Sequence, residues 1–157
     1  ILAQVTMKNL RQLNDLEYDD DNEKFAIRIQ QSIENKIPLS SIQEVIDTSG
    51  TVGMGSTDVG DISWVVPTTG FNTACFTPGV PGHSWQAVAS GGTDAAGKGL
   101  NLASRVIAAT AWDLYRSPEI LAAAKSELQQ RLGNQPYKTL MVPGQKPPLD
   151  YRKPPVK

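Results

Sequence analysis

The chain has 157 residues, 39% of them hydrophobic, with 15 Lys and Arg against 16 Asp and Glu. This suits one domain or part of a larger one, excludes disorder by composition, and argues against nucleic acid as the main partner, whose binding proteins are usually basic. No apolar run approaches the roughly 20 residues that span a bilayer. The start, ILAQVTMKNL, has no basic region followed by an apolar core, so it is not a signal peptide. One Cys cannot form an internal disulfide, and the expected compartment is the cytoplasm. A chain that begins at Ile1 without Met is expected to be a processed or truncated product.

In chain order, Leu2, Val5, Leu10 and Leu13 roughly follow helical spacing and predict a helix to about residue 16. Residues 17–22 are an acidic, polar break. Asp20 and Glu23 have the form of a capping box, with Asp in place of Ser or Thr. The acids Asp19 to Asp21 read as caps and a solvated turn, since the Gly and distal Glu of a calcium loop are missing. The next helix carries Phe25, Ile29 and Ile33 on one face with Ala26 beside them, and Pro38 ends that region. Residues 40–48 give no decision between helix and strand.

Residues 53–85 concentrate the chemistry. They hold the only His of the chain (His83), the only Cys (Cys75), two of its three Trp, and the acids Asp58 and Asp61 among glycines. Such glycines allow sharp turns or close approach to a ligand. The run Trp64-Val-Val66 stops at Pro67, Phe71 to Phe76 reads as a strand, and Pro78 to Gly82 reads as a loop delivering His83. Asp58 and Asp61 suit a general base, a metal ligand or a turn cap. Turn capping is the commoner use in glycine-rich turns. A single His is more often structural than a ligand, although access past Gly82 is open and imidazole binds metals well. Cys75 has no His or Asp at a motif spacing and reads as a buried, inert strand residue. Ser56 is not set in the G-x-S-x-G pattern of a nucleophile.

A break at residues 90–94 precedes the clearest helix, on which Ala96, Leu100, Ala103, Ile107, Ala111 and Leu114 recur every three or four residues, with Thr93 or Asp94 as cap. Gly92 to Lys98 fits the first seven positions of a phosphate-binding P-loop. The eighth is Gly99, without the magnesium-binding hydroxyl, and no good strand precedes it, so the segment reads as a loop with a helix cap. Ser117-Pro118-Glu119 opens a last helix with Leu121, Ala124, Leu128 and Leu132 on its apolar face and Gly133 at its end. Beyond Gln135, Pro and Lys dominate an extended tail, and no internal repeat is present.

The ordered motifs Gly53-Met-Gly-Ser-Thr-Asp-Val-Gly-Asp-Ile-Ser-Trp64 and Pro81-Gly-His-Ser-Trp85 resemble the last third of the aminobenzoyl-glutamate hydrolase-like amidohydrolases, in the aminoacylase/carboxypeptidase superfamily of dinuclear-metal peptidases. Trp112-Asp-Leu-Tyr115 and Ser117-Pro-Glu-Ile-Leu-Ala122 extend the resemblance, which covers roughly residues 1–135. It implies an α/β fold: the C-terminal part of a metallopeptidase catalytic domain, a sheet flanked by helices. Residues 1–16 would be the end of an inserted lid (dimerisation) domain, 17–135 the catalytic part, and 136–157 a Pro/Lys-rich tail.

The resemblance also implies a homo-oligomer that cleaves the amide bond of an N-acyl or aminobenzoyl amino acid with two divalent metals, zinc or manganese. His83 matches a metal ligand. Gly55, Ser56, Thr57 and Asp58 match the turn that holds substrate polar groups and orients metal ligands. The chemistry implied is metal-assisted hydrolysis, with a Glu as general base and a His or Arg on the oxyanion. The sequence departs from that pattern. The His-x-Asp motif, the bridging acid and the Glu-Glu pair are missing, so no general base is expected here and at most one residue binds metal directly. The chain is therefore expected to be inactive without the remaining part of the hydrolase or a second chain, and to show exposed apolar surface, marginal stability or self-association. The rival expectation is a non-catalytic structural or interaction subunit that binds no metal.

Overall fold

The computed structural model describes residues 1–51, 53, 55, 57–149 and 152. Among these the chain is helical: α1 (Leu2–Leu13), α2 (Asp20–Gln30), a 3-10 turn (Leu39–Gln43), α3 (Val59–Ser63), α4 (Trp85–Gly91), α5 (Asp94–Arg116) and α6 (Pro118–Leu132). No strand or sheet occurs among the described residues, which corrects the α/β expectation. Phe71 to Phe76, read as a strand, is irregular chain. The physical reason is that a strand exists only when its backbone groups pair with a neighbour. Here the backbone bond within the segment is local, from Cys75 N–H to Thr73 O at 2.9 Å.

Helix α5 is the axis, with α1, α4 and α6 packed against it. Its start is fixed by Thr93, whose hydroxyl accepts from the Ala96 N–H at 3.3 Å. It buries Ala96, Gly99, Leu102 and Val106, where α1 supplies Thr6, Asn9 and Leu10. Leu10, Leu16, Ile42, Leu102 and Val106 form the core, covered by Leu13, Tyr18, Val45, Phe71 and Ala74. A buried polar link adds register: Asn9 Nδ2 donates to Thr110 Oγ1 at 3.2 Å and to Asp113 Oδ2 at 3.0 Å. Below it, Arg105 grips Asp15 with both nitrogens, at 2.8 and 2.7 Å, and also donates to the Leu13 carbonyl. The two-pronged geometry fixes the chain direction where α1 ends.

The other ends follow local rules. α2 is capped one residue earlier than the Asp20–Glu23 pattern suggests, by Asp19, which accepts from Asp21 and Asn22 N–H at 3.1 and 2.9 Å. Its buried residues are Asn22, Ala26 and Ile29, with Phe25 and Ile33 half-buried. α6 begins with Pro118 and stops at Gly133, whose φ of 55° is the left-handed backbone that glycine adopts without penalty.

Candidate functional site

The expected site residues sit on two loops. Gly55, Thr57 and Asp58 lie before α3, and all three are exposed. Ser56 lies outside the described residues. Asp58 stands at the cap position of α3 without bonding its backbone. The cap-like bond comes from Thr57, whose hydroxyl accepts from Val59 N–H at 3.3 Å. Asp61 is occupied by the tail: Tyr137 donates its hydroxyl to Asp61 Oδ1 at 3.1 Å.

His83 is exposed and lies immediately before α4. It is the one non-glycine residue with positive φ among the described residues, at 57°. That conformation costs a residue with a Cβ about 1 kcal/mol, and the loop around it is correspondingly well held. Ser84 caps α4 by accepting from Ala87 N–H at 3.1 Å and donating to Pro81 O at 2.7 Å. Behind the loop, Gln30 of α2 donates to Ile37 O at 2.7 Å and Pro78 O at 3.0 Å. Gln86 reaches back to Ser32, and the buried Ser90 hydroxyl donates to Thr77 Oγ1 at 3.3 Å. Gly79, at φ 88°, lies so close to the Asn35 carbonyl that no Cβ fits. Nothing in the sequence signals the roles of Gln30, Gln86 and Ser90. Only the fold brings them to the loop.

The arrangement leaves a metal with too few donors. No three His, Cys, Asp or Glu side chains come together as a metal-binding group among the described residues. Neither of two cavities formed by the described residues is lined by His83 or by residues 55–58. The larger, about 370 Å³, lies between the start of α1, the end of α3 and α6. The smaller, about 70 Å³, lies beside Leu10 and Leu102 in the core. A catalytic zinc takes three protein ligands, so the described residues do not fit a complete metal site, and His83 supplies one donor at most.

Two other features have structural explanations. Lys98, the lysine of the P-loop-like run, donates to Asp19 Oδ2 and Asn22 Oδ1, both at 2.8 Å, and pairs with Asp94 at 3.4 Å. Its hydrogen bond to Asp19 raises its pKa above 10.5 and lowers that of Asp19 below 3.8. It ties α5 to the start of α2 rather than offering a free charge to a phosphate. Cys75 is half-buried irregular chain rather than a buried strand residue, with its sulfur 3.6 Å from Thr73 Oγ1. Burial pushes the nearby Tyr18 hydroxyl above its ordinary 10.0, with a smaller contribution from Cys75.

The loops before α3 and α4 carry the residues that resemble the aminobenzoyl-glutamate hydrolase-like amidohydrolases, and comparison with known proteins bears that resemblance out. The chain is 34% identical, over 120 residues and 75% of its length, to one of the subunits of p-aminobenzoyl-glutamate hydrolase from Escherichia coli (strain K12). It spans 24% of that protein's length. No family model and no solved structure matches the chain. No helix among the described residues is long and apolar enough to cross a membrane.

Proposed function

We propose that this chain is a segment of a metal-dependent amidohydrolase that cleaves an N-acyl or aminobenzoyl amino acid, and that it acts only with polypeptide supplying the rest of the site. The observation that carries this reading is the 34% identity over 120 residues to a hydrolase subunit of which the chain spans 24%. In this reading His83 is the metal ligand of the segment, and Gly55 to Asp58 hold substrate polar groups. The left-handed backbone at His83 supports its role: strain is tolerated where a side chain must be aimed, and Ser84, Gln30 and Gly79 hold the loop. The donors absent from the described residues come from the other polypeptide, and the chain's own task is to present one imidazole and one polar turn on a helical base.

The test is zinc or manganese content after dialysis, measured by elemental analysis on the chain alone and on the chain combined with the related E. coli subunit from which the matched segment has been deleted. The expected result is metal in the combination and a loss with His83→Ala. Equal metal uptake with and without His83 refutes the assignment and favours the rival reading of a non-catalytic subunit.

A further inference from the structure

Helix α5 is apolar on two sides. Its inner face, with Gly99, Leu102 and Val106, is filled by α1 and residues 71–76. On the outer side Leu100, Ile107, Ala111 and Tyr115 follow at helical spacing with no charged residue at the intervening positions 104 and 108, which are Ser and Ala. Leu100 is 65% exposed, Ile107 59% and Tyr115 86%. The adjoining α4 adds Trp85 at 62% and Val88 at 79%, one turn apart. Exposed apolar side chains at helical spacing on two helices that pack together mark an interface.

We propose that this α4–α5 face docks the polypeptide that corresponds to the remaining part of the related hydrolase subunit, an inference that rests on the function proposed above. Two observations select that occupant. The chain spans 24% of the related subunit, so most of the polypeptide that accompanies such a segment is outside it. The face also starts at Trp85, two residues from His83, whose donor set is incomplete among the described residues. A second copy would bring only the same groups again. A different polypeptide seated on Trp85 and Val88 brings new donors to His83 in the same step. The uncharged stripe fits an apolar helix or sheet surface.

The test combines the chain with the E. coli subunit from which the matched segment has been deleted, and follows sedimentation velocity, hydrogen exchange and release of aminobenzoate. The expected results are a complex, slowed exchange over residues 85–88 and 100–115, and at least 100-fold weaker association for the double variant Val88→Glu, Ile107→Glu. Both side chains are exposed in the free chain, so the variant should keep its far-ultraviolet circular dichroism, and loss of that signal contradicts the exposed placement. No complex with the wild-type chain, a complex indifferent to the double variant, or a homodimer abolished by it each overturns the docking inference. A complex that forms through this face yet releases no aminobenzoate refutes the hydrolase reading and leaves the docking face standing. Hydrolysis unaffected by the double variant does the reverse.

Discussion

At Gly99, α5 lies tightly against the segment that leads to the His83 loop. A Cβ placed there would lie 2.6 Å from the Ala74 carbonyl oxygen, 2.9 Å from the Cys75 sulfur and 3.0 Å from the Ala74 carbonyl carbon. Two of these three atoms are backbone, so the clash cannot be relieved by turning a side chain. Gly99→Ala should gain about 1 kcal/mol of helix propensity and lose about 1–3 kcal/mol to overpacking, for a net loss of up to about 2 kcal/mol. Gly97 lies two residues earlier on the same helix, with nothing within 4 Å of its Cβ position. Gly97→Ala should therefore stabilise by about 0.5–1 kcal/mol. The assay is urea unfolding followed by circular dichroism at 222 nm. The two midpoints should move in opposite directions. A Gly99→Ala midpoint that rises as much as that of Gly97→Ala would show that residues 71–76 do not rest on α5, and the packing described here would be wrong.

The same contacts make other outcomes measurable. Leu102 is 2% exposed, so Leu102→Ala should cost about 2–5 kcal/mol, whereas Leu100→Ala should change stability by less than about 0.5 kcal/mol in the free chain. Comparable losses in urea unfolding would mean that α5 is rotated. His83→Gly relieves left-handed strain of about 1 kcal/mol and restores a similar freedom to the unfolded chain, so stability should change by less than about 1 kcal/mol. A loss above roughly 2 kcal/mol would contradict an exposed, aimed side chain. Asp15 is held below its ordinary 3.8 first by the hydrogen bond from Arg105 and then by the charge of Arg105. A carboxylate with a depressed folded pKa stabilises the protein above its unfolded value, and that contribution is lost as pH falls through the folded value. Thermal midpoints should thus hold at weakly acid pH and fall below about pH 4, and Asp15→Asn should flatten the fall. An equally steep fall in the variant would remove the Arg105 pair as its cause.

The helices were largely legible in the sequence. The spacing of Leu10 and Leu13, of Ala26 and Ile29, and the Ser117-Pro118 start all describe elements that form. Helix α5 shows where the pattern is ambiguous. Leu100, Ile107 and Ala111 make the more regular stripe, yet they are exposed, and Leu102 and Val106 on another face are buried. Periodicity counts apolar residues along a face and cannot say which of two faces finds a partner first. The predicted strand at Phe71 failed for a related reason, since β-branched and aromatic residues suit a strand only where another strand offers its ladder. The resemblance of residues 53–64 and 81–85 identified the right relative, but the implied sheet does not form among the described residues. The grouping of Gln30, Gln86 and Ser90 behind the His83 loop depends on separations of up to 54 residues and has no local signature.

The most direct test replaces the matched 120-residue segment of the E. coli p-aminobenzoyl-glutamate hydrolase subunit with this chain. Aminobenzoate release from aminobenzoyl-glutamate is then measured in the presence of the rest of that enzyme, with the isolated chain assayed beside it. The prediction is no release by the chain alone, release by the chimera, and at least a 100-fold loss in the chimera carrying His83→Ala. Release by the isolated chain, or a folded chimera with no release, would contradict the reading of this chain as one wall of a shared hydrolase site.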